Sequence, residues 1–193
     1  MKHELDRGIK IMKVGIIYGS STGNTQTAAE MISEHLSTEH ECILKDVDSL
    51  GVDDFLDYEF LVLGISTWYI GEPQDDWIDI LDNMDGMDFN GIPFAIFGQG
   101  DQLGYPDTYQ DGMGILYEKM INGGGVGKIG FTSTEGYDFD ESKGIVDDQW
   151  CGLSLDEDNQ GEMTDDRIER WCKVLLEEMN NYQDTQGNQE LRQ

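Results

Sequence analysis

Short strand-like runs alternate along this chain with amphipathic segments, and that alternation limits the architectures open to it. Residues 14–18 (VGIIY), 60–65 (FLVLGI) and 93–98 (PFAIFG) are almost wholly apolar and too short for helices of their own. A run of that kind suits a parallel strand covered on both faces. Residues 42–47 and 126–131 read as two further strands. The intervening segments carry helical periodicity. Residues 25–36 place Ala28, Ala29, Ile32 and Leu36 on one face, and residues 74–83 point Trp77, Ile78 and Leu81 inward. Residues 108–121 align Met113, Leu116, Tyr117 and Met120. A last helix is expected over 164–182, with Thr164 as N-cap and Asp165 and Asp166 in its first turn. Five strands alternating with helices predict an α/β fold: a three-layer, doubly wound parallel sheet.

Two regions fall outside the alternation. Residues 132–161 are rich in Asp, Glu, Gly and Ser and too long for an ordinary connection, so they read as an ordered insertion near the last strand, with short strands around 150–155. Residues 1–9 read as an N-terminal extension and 183–193 as a flexible polar tail, leaving one domain over 10–182. Trp77, Trp150 and Trp171 are expected to pack in the interior.

The charge removes several function classes. The 193 residues hold 40 acidic and 12 basic side chains, a net charge of −28. Such a surface repels nucleic acid and anionic membrane, and favours partners with basic docking faces. Cys42, Cys151 and Cys172 form no CxxC pair, which suggests free thiols in a reducing compartment. No apolar run approaches the ~20 residues of a membrane span. The first ten residues do not read as a secretory signal. His35 and His40 have no neighbouring partner for a metal, and no metal site is expected.

Ligands of an open parallel sheet bind beyond the carboxyl ends of its strands. The loop after the first strand reads Gly19-Ser20-Ser21-Thr22-Gly23-Asn24-Thr25 and leads into a helix N-terminus, where unpaired backbone N–H groups favour an anion. Four hydroxyls and Gly23 suit a terminal monophosphate. The loop is no P-loop, because GK[ST] is missing. It also matches G-x-S-x-G, but no histidine follows residue 40 to act as a hydrolase base. Gly98, Gly100 and Gly104 miss the dinucleotide spacing by one residue. The loops after the third and fourth strands each carry one large aromatic, Trp68 and Tyr105. Paired across one cleft, they could stack on a planar heterocycle. A monophosphate joined to an aromatic ring points to FMN.

Residues 19–25 (GSSTGNT), 64–72 (GISTWYIGE) and 97–110 (FGQGDQLGYPDTYQ) resemble the three flavin loops of flavodoxins, and 136–166 resembles the insertion of their long-chain branch. The resemblance implies strand order 2-1-3-4-5 and a low-potential, single-electron carrier with non-covalent FMN and no catalytic residues. It implies that Ser20, Ser21, Thr22, Gly23, Asn24 and Thr25 hold the phosphate, and that Ser66 and Thr67 line the ribityl side. Trp68 and Tyr105 would cover the two flavin faces, with Tyr69, Ile70 and Gly71 beside the ring. Gln99, Gly100 and Asp101 would lie near the isoalloxazine edge, with Gln110 as a further binding residue. Implied partners are redox proteins such as a ferredoxin–NADP reductase-like enzyme or a photosystem. The protein would be a monomer in the cytoplasm, or in the plastid stroma if a transit peptide has been removed.

Residues 46–118 hold 17 acidic side chains and no Lys or Arg, so acid is expected around the redox face, where it opposes flavin reduction. One departure concerns the peptide after the loop tryptophan, whose carbonyl in flavodoxins turns towards flavin N5. Here it is Tyr69–Ile70, and Ile resists positive φ. Only a modest stabilisation of the one-electron-reduced form is expected, relieved if Gly71 takes the strained position. The alternative reading is an FMN-dependent, quinone reductase-like enzyme on the same fold. A receiver-like signalling domain is disfavoured, because Gly19-Ser20-Ser21 supplies no carboxylate pair.

Overall fold

The computed structural model describes the backbone of residues 10–190 and the side chains of residues 10–186. Its elements in chain order are β1 (Lys13–Tyr18), α1 (Asn24–Leu36), β2 (Glu41–Asp46), β3 (Phe60–Trp68), β4 (Glu72–Pro73), α2 (Ile78–Asn83) and β5 (Phe94–Gln99). There follow α3 (Asp111–Asn122), β6 (Thr132–Ser133), β7 (Ile145–Val146), β8 (Gln149–Trp150), β9 (Leu153–Leu155), α4 (Glu157–Gln160) and α5 (Thr164–Glu190).

Five parallel strands pair in the order β2-β1-β3-β5-β9, which is the expected 2-1-3-4-5 when only the parallel strands are counted. Side chains alternate across a strand, and β3 shows the consequence. Phe60 and Val62 enter a core with Val14, Ile16, Ala95 and Phe97, roofed by Ala28 and Ile32 of α1 and Ile168 and Leu175 of α5. Leu61, Leu63 and Ile65 enter the opposite core, with Ile17, Ile96, Trp77, Leu81 of α2 and Met113 and Leu116 of α3. Both faces are therefore sealed, and each fully buried Leu or Ile contributes about 1.5–3 kcal/mol relative to exposure.

The last strand differs from the expected one. Residues 126–131 do not form it; only Val126 bridges to Pro93. Lys128 and Gly130 adopt φ of +65° and +73°, which turns the backbone away from the sheet. The chain then builds the small antiparallel sheet β6-β8-β7 and returns to β5 as β9. The insertion thus splits the fifth strand rather than following it. Its core is Trp150, fully buried, with Tyr109, Tyr137 and Phe139 at ring-centroid distances of 5.4, 5.5 and 4.8 Å. Side chains from the insertion also occupy carbonyls of β9 and the residue before it, on the outer edge of the sheet. Thr132 Oγ1 donates to Gly152 O at 2.7 Å and Tyr137 Oη to Ser154 O at 2.5 Å, which blunts an edge otherwise free to pair with another chain.

Smaller differences have local causes. Residues 75–77 are a 3-10 turn, which shifts the phase of the following helix, so Ile80 is buried and Ile78 is 45% exposed. The helix expected from 108 starts at Asp111, because Gln110 is left-handed at φ +62°. Thr164 has helical φ and ψ of −59° and −50° and continues the 3-10 turn 161–163 instead of capping α5. α5 runs on past residue 182 to Glu190, where a polar tail was expected; residues 191–193 and the extension 1–9 lie outside the described residues. None of the described helices is long and apolar enough to cross a membrane.

Gly64 sits in β3 directly opposite Phe97 of β5, and a Cβ there would lie 2.1 Å from the Phe97 ring. Gly64→Ala is expected to lower stability by about 1–3 kcal/mol in urea unfolding, with partial recovery in Gly64→Ala/Phe97→Leu. An unchanged midpoint in the single variant would show that the ring gives way freely.

Candidate functional site

Three loops converge where β1, β3 and β5 end. The first, residues 19–23, closes on itself through Gly23 N, which donates to Ser20 Oγ at 3.1 Å, and Gly23 takes φ +93°. α1 starts at Asn24 with no side chain capping it. Its first backbone N–H groups therefore keep their hydrogens for an anion, and the helix dipole adds to the attraction. Thr22, Asn24 and the buried Thr25 line the cleft, while Ser20, Ser21 and Gly23 shape the loop.

The second loop leaves β3 by a tight reversal into antiparallel β4. Gly71 N donates to Trp68 O at 3.1 Å, and the turn is left-handed at Tyr69 (φ +48°) and at Gly71 (φ +92°). Gly71 thus does take a strained position, as a register shift would require, but Tyr69 takes one too. Ser66, Thr67, Trp68 and Tyr69 line the cleft. Trp68 Nε1 donates to Ser66 Oγ at 2.9 Å, which fixes the indole, and Thr67 Oγ1 accepts from Gly112 N at 3.0 Å, which ties the loop to α3. Ile70 is 80% exposed and points outward, its N–H donating to Glu72 Oε2 at 2.9 Å. Ile70 and Gly71 form the turn but are not among the cleft-lining residues.

The third loop supplies Gln99, Gly100, Asp101 and Tyr105. Asp101 Oδ1 accepts from Gly104 N at 2.7 Å and from Asn159 Nδ2 at 2.8 Å, so its carboxylate braces the loop. Gln99 is buried in the cleft wall, and its Nε2 has no acceptor among the described residues. Gln110 has to be corrected. Its side chain is fully buried beneath the loop, with Nε2 donating to Gly98 O, Ser154 Oγ and Leu155 O at 3.0–3.1 Å. It joins β5 to β9 and does not reach the cleft.

Two cleft residues were not foreseen, Glu157 and Asp158 of α4. They follow β9, so placing the last strand at 126–131 hid them; placing it at 153–155 would have marked the next loop as part of the ligand edge. Gln74 was also missed. It is 1% exposed, and its Nε2 donates to Ser21 Oγ at 3.2 Å across 53 residues of sequence. Nothing local in the sequence signals that contact.

The cleft encloses about 490 Å³, ordinary for a small-molecule site. Its lining has hydroxyls and free N–H groups at one end and the Trp68, Tyr69 and Tyr105 rings at the other. Among the described residues no Lys, Arg, His or Cys lines it, and three carboxylates do. Burial first, and then the Asp101 and Asp156 carboxylates, raise the Asp158 carboxyl above its usual range. Such a cleft holds a phosphate by neutral donors and a flat ring by stacking. The uncapped α1 and the unpartnered Gln99 amide are donors left without acceptors, and they fit the phosphate and the polar edge of FMN. Among the described residues no group of three His, Cys, Asp or Glu is placed to hold a metal ion.

The family model for flavodoxin matches residues 16–171. A flavodoxin from a Synechocystis species is 48% identical over 163 residues, covering 84% of this chain and 95% of the relative. Flavodoxin 1 of Escherichia coli is 40% identical over 166 residues, covering 86% and 93%. Among solved structures, a Fusobacterium nucleatum flavodoxin bound to flavin mononucleotide superposes with a TM-score of 0.79 at 29% identity, covering 87% of this chain and 99% of that one.

The raised carboxyl of Asp158 gives a pH test. An acid whose pKa is higher folded than unfolded favours folding at low pH and opposes it once the pH exceeds the folded value. Asp158→Asn is therefore expected to raise the melting temperature of the ligand-free protein at pH 7. The gain should shrink in high salt and vanish below about pH 4, where both states are protonated. A gain that persists at low pH would assign the effect to something other than charge.

Proposed function

This chain belongs to the flavodoxin family, and on that premise we propose that its cleft holds FMN non-covalently and that the protein carries single electrons between redox proteins. The observation that carries the reading is the two-ended cleft, with uncapped helical N–H groups at one end and Trp68 and Tyr105 at the other. The bound flavin supplies the one-electron chemistry. Around it, the first loop holds the phosphate with neutral donors, and the indole, pinned by Ser66, stacks on the ring. Gln99 and Asp101 offer a donor and an acceptor to its polar edge. The carboxylates of Asp101, Glu157 and Asp158 disfavour added negative charge on the ring, which lowers its potential.

The same acids favour partners with basic docking faces, such as a ferredoxin–NADP reductase-like enzyme or a photosystem. Tyr69, Ile70, Leu103 and Tyr105 are exposed at this end and give such a partner an apolar centre within the acidic rim. The quinone reductase-like reading is weaker. Among the described residues the cleft lining offers no His, Lys or Cys for proton transfer to a substrate, and rings on both walls restrict access to the flavin faces. The three cysteines are free thiols, which suits the cytoplasm or a stroma-like compartment.

The purified protein is expected to show flavin absorption bands and to release FMN on denaturation. Trp68→Ala should weaken FMN binding by about tenfold or more, from lost stacking on the order of 1 kcal/mol and lost burial. A colourless protein whose apo form takes up no FMN would overturn the reading.

Tyr69 provides a second test. A left-handed non-glycine residue costs about 1–2 kcal/mol, part of which Tyr69→Gly should recover in urea unfolding. The freed peptide should also turn more readily towards the ring, widening the gap between the two one-electron midpoint potentials. Equal gaps in both proteins would show that Tyr69 does not restrain it.

A further inference from the structure

Gln74 lies beneath the first loop and outside the cleft, yet its side chain is more constrained than packing alone requires. Its backbone is held at both sides, with Gln74 N donating to Ser66 O at 3.0 Å and Gln74 O accepting from Trp77 N at 2.9 Å. The carboxamide sits in the slot left by Gly19, where a Cβ would lie 2.2 Å from Gln74 Oε1. One side of the amide is satisfied and the other is not. Nε2 donates to Asp76 Oδ2 at 2.6 Å and to Ser21 Oγ at 3.2 Å, while Oε1 is buried with no donor among the described residues.

That imbalance fixes a direction. Turning the amide over would place Oε1 against the Asp76 carboxylate, two acceptors facing each other with no hydrogen between them. Asp76 therefore locks Nε2 towards itself and towards Ser21. Both amide hydrogens are then committed, and Ser21 Oγ is an acceptor on its buried side. A serine hydroxyl has one hydrogen to give. With its inner side occupied by a donor, that hydrogen is left to point away from Gln74; with the loop read as a phosphate cradle it points to the anion that the uncapped N–H groups of α1 would also bind.

We infer that Gln74 is a positioning residue which, locked by Asp76, turns the Ser21 hydroxyl into an obligatory donor and so makes the loop selective for a phosphate monoester over a neutral end. The inference rests on the reading of the cleft as an FMN site. It gives Asp76 a role opposite to its charge. Alone, a carboxylate this near an anion site weakens binding; acting through Gln74, it strengthens it.

The test measures FMN and riboflavin affinities of the apoprotein, together with the rise in its melting temperature on adding inorganic phosphate. In Gln74→Met, FMN affinity is expected to fall about tenfold with riboflavin within about twofold, and the phosphate-induced rise to shrink. Ser21→Ala should show the same pattern, and Gln74→Met/Ser21→Ala no further loss. Asp76→Ala should also weaken FMN selectively, where simple charge removal would tighten it; this variant carries the test if Gln74→Met does not fold. Equal losses for FMN and riboflavin, a full additional loss in the double variant, or tighter FMN binding in Asp76→Ala would each overturn the proposal. If the unmodified apoprotein binds neither flavin, the reading of the cleft fails instead, and the two failures are distinct.

Discussion

The divergence of the chain after β1 and β3 is the constraint on which the ligand end depends. These strands are neighbours in a sheet sealed on both faces, but β1 leads into α1 on one face and β3 leads towards α2 on the other. Loops that part in opposite directions cannot cover the strand ends between them. A crevice there follows from topology, before any residue in it is chosen. Within it the first loop offers the uncapped N–H groups of α1, so an anion could be held there without a cation. A site without Lys or Arg is affordable only because α1 begins there uncapped.

That economy explains how a chain of net charge −28 can bind an anion. Among the described residues no carboxylate lines the phosphate end, where Thr22, Asn24 and Thr25 form the wall, and the acids that line the cleft are gathered at the ring end as Asp101, Glu157 and Asp158. Separation along one cleft lets the site hold a charged phosphate while resisting further charge on the ring. Two lysines, one following the third loop in sequence and one within the insertion, are committed elsewhere. Lys119 pairs with Asp85 and Lys143 with Asp111, at 2.6 and 3.3 Å. Asp101, Glu157 and Asp158 form no ion pair among the described residues, so the acid at the ring end stays uncompensated.

What the sequence disclosed and what it hid divide along physical lines. β1, β3 and β5 were plain because a strand buried on both faces must be apolar throughout, and the loops that follow them could be located from that alone. The fifth strand was misplaced because Val126, Ile129 and Phe131 make a short apolar-rich run of strand length, whereas Leu153–Leu155 is too short to stand out beside the acidic insertion. The left-handed Lys128 and Gly130, which decide the matter, leave no periodic mark. Gln110 lies in a flavin-loop motif, but motif membership does not say which way a side chain points; its backbone turns it into the core. Gln74 is the reverse case, a residue with no motif whose role arises from a contact only the folded sheet creates.

The insertion bears on the site more closely than its distance in sequence suggests. Asp156, fully buried at the end of β9, accepts from Gln102 N at 3.1 Å and from Gln102 Nε2 at 2.7 Å, and Gln102 Oε1 accepts from Asp138 N at 2.6 Å. Tyr109 Oη meets Ser154 Oγ at 2.8 Å, and Tyr109 packs against Trp150. The loop carrying Tyr105 is thus bonded at Gln102 and Tyr109, on both sides of the ring, to groups that the insertion brings back to the sheet. The bonds of Gln102 to Asp156 and of Tyr109 to Ser154 are buried, where losing a partner costs about 1–3 kcal/mol, so the loop cannot drift without leaving polar groups unpaired. A stacking ring on an unbraced loop would spend part of its binding energy on being ordered. Splitting the fifth strand places Asp156 and Ser154 where they remove that cost, so the interruption of the sheet and the order of the third loop are one structural fact.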